Sequence, residues 1–320
     1  MKLKSILALI LAVLMCFAFA GCSSSEKTED AATETTVETT QQPQTGEVES
    51  ELTAQEQLIF AQDGVFNLLM LGVDNFNDIG TSDTIMLLSV DRTHGKLKFT
   101  SFARDIYVTV PGYGVNKLSV AYSLGGASLL VSTIEHNFDI DIERYALLNY
   151  YTFEDIVNIL GSVELELTEK DVEYINSILR SEGDSGLVTA KSGKIKLDGK
   201  QALAYIRTRG GDDNVEYDIH RTKRQRSFLM EVAQDLSATS ASQLLQLAKD
   251  VMPFVNTDIT NDELNALLKG IRTYLTYSPS GIAIPFDDNG SYAHTNQGTV
   301  IEINDWGKTR TELKNFIYEN

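Results

Sequence analysis

Near the start of the polar-rich middle of the chain stands an almost unbroken apolar run, Val65-Phe66-Asn67-Leu68-Leu69-Met70-Leu71-Gly72-Val73, which stops at Asp74. A short continuous run with turn formers beyond it predicts a strand buried on both faces. Thr84-Ile85-Met86-Leu87-Leu88-Ser89-Val90, opened by Asp83, predicts a second strand. Arg92-Thr93-His94-Gly95 reads as a turn, and Lys96-Leu97-Lys98-Phe99-Thr100-Ser101-Phe102 as a third strand leading into Arg104 and Asp105. Helical spacing of apolar residues follows over Val120 to Asn137 and Asn149 to Leu160. Further helices are predicted from Arg226 to Asp235, Ser242 to Phe254, Asn261 to Tyr274 and Asn304 to Tyr318, with strands near Gly281 to Pro285 and Thr299 to Ile303. Strands and helices mixed in this way predict an α/β fold in which a sheet is flanked by helices. Residues 63–235 are expected to form its catalytic part, and residues 236–320 an extension packed on the same domain; a small separate domain from about Ser240 is the alternative.

The first sixty residues follow a different pattern. Met1-Lys2-Leu3-Lys4 precedes an apolar stretch from Ile6 to Ala20 and then Gly21-Cys22-Ser23-Ser24-Ser25, the layout of an export signal too short for a comfortable membrane span. Phe19-Ala20-Gly21-Cys22 resembles a bacterial lipobox, so residues 1–21 read as a signal peptide and Cys22 as the lipidated first residue of the mature protein. Plain secretion and an uncleaved anchor are the other readings; all of them place the folded part outside the cytoplasm. Residues 22–62 are rich in Thr, Glu, Gln and Ser and cannot bury enough apolar surface to fold. Their carboxylates repel one another, which makes them an extended spacer.

Composition narrows the chemistry. The formal net charge is -18, which argues against nucleic acid as a partner. Only two cysteines occur, Cys16 in the signal and Cys22 at the lipidation position, so the mature domain is left without a disulfide framework or a thiol nucleophile. The four histidines show no zinc spacing. No phosphate-binding glycine loop is present: Gly193 to Gly199 is one residue too long for a P-loop and is followed by Lys200-Gln201 rather than Lys-Ser or Lys-Thr. Against the acidic background, Arg207, Arg209, Arg221, Arg224 and Arg226 gather cations suited to a pyrophosphate, because each guanidinium fork makes two parallel hydrogen bonds to phosphate. Taken alone the cluster reads equally as a salt-bridged helix face, with Asp212, Asp213, Glu216 and Asp218 as partners. If the second and third strands form a hairpin, Arg104 and Asp105 come to the end that holds Asp83, and the loop from Asp74 closes on the same end. Carboxylates so placed suit Mg²⁺ when phosphate and water supply the other ligands.

Leu71-Gly72-Val73-Asp74, Ser82-Asp83-Thr84, Ser101-Phe102-Ala103-Arg104-Asp105, Val110-Pro111-Gly112 with Lys117, Ala121-Tyr122-Ser123-Leu124-Gly125-Gly126 and the arginine block, in this order, resemble the LytR-CpsA-Psr family. The resemblance covers roughly Asn67 to Leu229. It implies a three-layer α/β/α fold around a mixed sheet, with an apolar cleft for a polyprenyl chain. It also implies an extracytoplasmic phosphotransferase of a Gram-positive-type envelope, held to the membrane by its lipid anchor. Such an enzyme moves a glycopolymer, wall teichoic acid or capsular polysaccharide, from a polyprenyl pyrophosphate carrier to peptidoglycan. By position, Asp74 and Asp83 would bind Mg²⁺, or Mn²⁺ in its place. Arg104, Arg207, Arg209, Arg221 and Arg224 would clamp the pyrophosphate with Lys117 and Gln225 beside them. Asp74 is the first choice of general base and Asp105 the second. A non-catalytic envelope lipoprotein binding such glycans, and a pyrophosphate hydrolase, are the alternative functions. Thr81, Ala103, Ser119 and Asn158 stand where the family usually has arginine, proline, asparagine and aspartate.

Overall fold

In the computed structural model, described at Phe60 and residues 64–73, 80–208, 224–225, 228–229, 231–232, 243, 246–247, 250–274 and 276–319, the predicted apolar runs lie at the centre of a six-stranded sheet. The export signal with Cys22, the linker apart from Phe60, and Asp74, Arg209 and Arg221 lie outside the described residues. The chain runs through β1 (Val65–Val73), β2 (Ser82–Asp91), β3 (Lys96–Phe102), β4 (Tyr107–Val110), β5 (Gly114–Lys117), α1 (Val120–Phe138), β6 (Arg144–Asn149), α2 (Tyr150–Leu160) and β7 (Val163–Leu167). It continues through α3 (Glu169–Ser181), β8 (Gly193–Leu197), α4 (Gly199–Arg207), β9 (Asn256–Thr257), α5 (Asn261–Tyr274), β10 (Ser278–Ile284), β11 (Gly290–Thr295), β12 (Gly298–Ile303) and α6 (Trp306–Lys314), ending in a π-helical turn at Asn315–Glu319.

The sheet order is β10-β3-β2-β1-β6-β9. β2 and β3 form the hairpin considered from the sequence, with Ile85 opposite Phe102, and β1 extends it into an antiparallel meander, while β6 joins β1 and β10 joins β3 in parallel. The sheet is therefore mixed. Both faces are covered, which is why β1 and β2 read as continuous rather than alternating apolar runs. Phe66, Leu68, Met86 and Leu88 point into one core, packed under α2, α3, α4 and α5. Leu69, Leu71, Ile85 and Leu87 point into the other, under α1, the β4–β5 hairpin and α6. Helix layers on both sides of the sheet complete a three-layer α/β/α fold.

Several elements differ from the sequence reading. Helix α1 runs one residue beyond the predicted Val120 to Asn137 and is broken at Gly125 and Gly126; Gly126 takes φ 66° and ψ -162°, a conformation essentially reserved for glycine. The turn-rich stretch before Lys117 is the hairpin of β4 and β5, paired from Tyr107↔Lys117 to Val110↔Gly114. Helix α4 occupies the first part of the basic block. Its start is fixed by a capping box in which the Asp198 side chain accepts from Gln201 N–H while Gln201 bonds back to the Asp198 amide.

Candidate active site

The functional side chains converge because β2 and β3 are a hairpin. With Ile85 paired to Phe102, residues just before β2 and just after β3 leave the sheet at one end. There Arg104 Nη1 donates to Asp83 Oδ1 at 2.5 Å, and Arg104 Nε lies 3.4 Å from Asp105 Oδ2. Lys117, at the end of β5, donates from Nζ to Asp105 Oδ1 at 2.7 Å. The result is an alternating row, Asp83–Arg104–Asp105–Lys117, with side chains 17–23% exposed. Backbone bonds hold the row in register: Ser119 N–H donates to the Arg104 carbonyl at 3.0 Å and Leu118 N–H to the Ile106 carbonyl at 2.8 Å. Half-buried ion pairs of this kind are neither desolvated enough to be costly nor wet enough to be fully screened, so they orient the cations firmly.

Beside this row opens an apolar cavity of about 110 Å³ on the α2–α4 face of the sheet, walled by Met70, Met86, Ala146, Phe153 and Phe228, with Gly72, Thr84 and Gln225 at its polar rim. Gly72 is required there. A Cβ at that position would lie 2.9 Å from Thr84 Cβ, which is closer than real contacts allow, so any other residue would displace the wall. Thr84 is the neighbour of Asp83 and its Oγ1 accepts from Gln225 Nε2 at 2.8 Å, joining cavity rim and charged row.

Of the sequence-predicted site residues, Asp83, Arg104, Asp105 and Lys117 are brought into one contiguous row, and Gln225 reaches its neighbour Thr84. Arg224 and Arg207 are held by acids the sequence reading did not single out. Arg224 donates from Nε and Nη2 to Asp171 Oδ1 at 3.2 and 3.0 Å, and Arg207 Nη1 to Glu182 Oε1 at 2.5 Å. Burial works to raise the Asp171 carboxyl, but hydrogen bonds from the Thr168 hydroxyl and amide and from Arg224 hold it below the ordinary carboxylate value. Next to them the Tyr205 phenol is pushed up to about 12, by burial first and the Asp171 charge second, and stays protonated. The signal that marks Asp171 in the sequence is Thr168-Glu169-Lys170-Asp171, a capping pattern whose reciprocal bonds form at the start of α3.

A divalent metal is implied by the resemblance, and the donor chemistry fits it in part. Asp83, one of the two expected ligands, offers a hard carboxylate in a partly exposed setting, and Mg²⁺ commonly takes one or two carboxylates and fills its octahedron with water and phosphate; the other, Asp74, lies outside the described residues. Among the described residues no group of three or more acidic, histidine or cysteine side chains gathers.

Comparison with known proteins gives a consistent picture. The model of the LytR_cpsA_psr family matches residues 21–314. The chain is 34% identical over 214 residues to the polyisoprenyl-teichoic acid–peptidoglycan teichoic acid transferase TagU of Enterococcus faecalis, covering 65% of this chain and 66% of that protein. It is 29% identical over 264 residues to the regulatory protein MsrR of Staphylococcus aureus, covering 81% of this chain and 76% of MsrR. Its fold is similar, with a TM-score of 0.62 at 23% identity, to the structure of the family protein YwtF (TagT) with bound octaprenyl pyrophosphate lipid, covering 82% of this chain and 95% of that one.

Proposed function

The chain belongs to the LytR-CpsA-Psr family, and on that premise we propose that it is a phosphotransferase moving a glycopolymer, such as a teichoic acid or capsular-type polysaccharide, from a polyprenyl pyrophosphate carrier to peptidoglycan. The observation that carries the reading is the junction of an apolar cavity with a row of paired charges, Asp83–Arg104–Asp105–Lys117, through Thr84 and Gln225. An amphiphile with a long apolar tail and a dianionic head matches that junction; the TagU name belongs to a relative in sequence, and the bound lipid of TagT to a protein of similar fold.

In the proposed reaction an acceptor hydroxyl oxygen forms a bond to the glycan-bearing phosphorus, and the bond from that phosphorus to the bridging oxygen breaks. Polyprenyl phosphate leaves with both electrons, and the hydroxyl proton passes to Asp74, which follows β1 directly in sequence. Arg104 and Lys117 meet the charge that spreads over the phosphoryl oxygens, with Arg207, Arg209, Arg221 and Arg224 as the outer clamp. Asp105 holds both inner cations in line. Mg²⁺ held by Asp83 and Asp74, with Mn²⁺ as the alternative, would neutralise part of the pyrophosphate charge. The cavity volume of about 110 Å³ is on the order of what a benzene-sized ring fills, so as it stands it takes only the first part of a long apolar tail. We place the reaction outside the cytoplasm, with the protein anchored through a lipid on Cys22.

The test is incubation of the full-length protein in detergent with a polyprenyl pyrophosphate saccharide, peptidoglycan fragments and Mg²⁺, followed by mass spectrometry. Metal-dependent transfer that falls by about 10²–10³ in Arg104→Ala is expected, the effect of removing one donor to a developing oxyanion. Release of polyprenyl phosphate without a glycan-peptidoglycan product would point to a hydrolase, and binding without turnover to a carrier lipoprotein.

A further inference from the structure

A second cavity lies on the opposite face of the sheet from the apolar one. It holds about 360 Å³, inside the range of about 300–1,000 Å³ typical of small-ligand sites, and is lined by Tyr107, Thr109 and Val115 of the hairpin, His136 at the end of α1, and Trp306 and Arg310 of α6. In the hairpin register Tyr107 faces Lys117 and Thr109 faces Val115, and partners opposite each other on two antiparallel strands point to the same side. The face that walls the cavity is therefore the face from which Lys117 reaches Asp105. The opposite wall is built firmly. Arg310 Nε donates to the Asn137 carbonyl at 2.8 Å, its guanidinium lies 5.6 Å from the Trp306 ring centre, and that ring packs on Phe138. Asn137 in turn fastens the edge of β4, exchanging hydrogen bonds with both the N–H and the carbonyl of Thr109.

We propose that this groove binds the saccharide of the acceptor, an N-acetylated glycan bearing carboxylates, a reading that rests on the transferase function above. Aromatic side chains offer flat apolar surface to sugar rings. A guanidinium has five N–H donors in a fixed fork, and the described hydrogen bonds of Arg310 use one, so carboxylate and hydroxyl oxygens are suited to the others. Its position fits the chemistry. In phosphoryl transfer the attacking and leaving oxygens lie roughly in line. With the leaving lipid phosphate on the cavity side, at Thr84 and Gln225, the attacking hydroxyl must arrive from the far side of the row, where Lys117 and Tyr107 stand.

Trp306 is the single tryptophan of the chain, so its emission reports on this groove without a label. Titrating the full-length protein with a peptidoglycan tetrasaccharide is expected to change Trp306 emission saturably, with Kd raised at least tenfold in Arg310→Ala and in Tyr107→Ala while the circular dichroism spectrum is unchanged. No saturable change, or the same Kd in both variants, would overturn the proposal. Saturation only by a soluble teichoic acid linkage saccharide would also overturn it, assigning the groove to the donor. Failure of the transferase reading looks different: the tetrasaccharide titration persists, but no glycan is transferred in the mass-spectrometric assay.

Discussion

Ala103 stands where the family usually carries proline, and the structure gives the substitution a physical meaning. Its backbone N–H donates to the Ile284 carbonyl of β10 at 2.9 Å, a bond proline lacks the hydrogen to make. Asn158, in place of aspartate, keeps the acceptor that matters, because its Oδ1 takes the Gly199 N–H at 2.9 Å at the start of α4. Nothing in the structure explains Thr81. The buried pair of Lys98 and Asp91 was invisible in the sequence, where both sit among strand residues. Lys98 Nζ donates to Asp91 Oδ2 at 2.7 Å and to the Ile317 carbonyl at 2.9 Å. Burial alone would raise the Asp91 carboxyl, but bonds from Lys98 and His94 hold it below its ordinary value of 3.8. A carboxylate whose folded pKa is depressed adds stability that is complete above its unfolded value and is lost as pH falls through the folded one. Asp91→Asn is therefore expected to cost about 3–5 kcal/mol at neutral pH, as does stranding one member of a buried pair. The gap from the unmodified protein should begin to narrow as pH falls below about 4 and shrink further as it passes the depressed folded value; urea titrations at several pH values measure it, and a pH-independent gap would contradict the assignment. Asp83, Arg104 and Asp105 were legible because residues flanking a hairpin must meet, whereas Lys117 was singled out only by the family resemblance and is brought to them by the unpredicted β4–β5 hairpin. Asp171 and Glu182 were not, because they lie far in sequence from the arginines they hold.

At the scale of elements, what the sequence displays is periodicity, and long elements display it best. β1, β3 and α5 have the predicted bounds. α3, of 13 residues, and α4, of 9, were not read as helices although each has an apolar face at helical spacing, Val172, Ile175 and Leu179 in α3, and both begin with reciprocal capping bonds that the sequence offered as a signal. Strand β6 is a six-residue stretch with half-buried positions and no strict alternation. The packing of α4 on α2 turns on one glycine. A Cβ on Gly199 would lie 2.4 Å from the Glu154 carbonyl oxygen and 2.9 Å from Asn158 Nδ2. Gly199→Ala is expected to destabilise the protein by about 1–3 kcal/mol through overpacking, although alanine is the better helix former. Thermal unfolding followed by circular dichroism decides it; an unchanged or raised midpoint would mean that α4 can shift without cost.

The whole molecule is closed by its C-terminal segment. β10 makes the outer strand next to β3, β9 makes the edge beyond β6, Ile301 bridges Ile106 just after the charged row, and the final π-helical turn supplies the carbonyl that Lys98 needs. Removing residues 278–320 would strip β3 of its partner on one edge, expose the core under α6 and take the Ile317 carbonyl from the Lys98 ammonium, leaving it only Asp91. Such a truncated chain is expected to lose its cooperative thermal transition and to expose apolar surface to a hydrophobic dye; a sharp transition like that of the intact chain would show that residues 64–277 fold by themselves. The amino-acid sequence by itself determined the hairpin of β2 and β3, the covering of both sheet faces, the main helices and the meeting of Asp83 with Arg104 and Asp105 at the hairpin end, since each follows from local periodicity and from residues close along the chain. Only the tertiary structure decided that β10 pairs parallel to β3, that Arg224 and Arg207 rest on α3 and the residue that follows it, and that two cavities open on opposite sides of the sheet. The strand pairing joins residues about 180 positions apart, the arginine pairs join residues 53 and 25 positions apart on different elements, and the cavities depend on the angle at which elements pack; none of these leaves a local pattern to read.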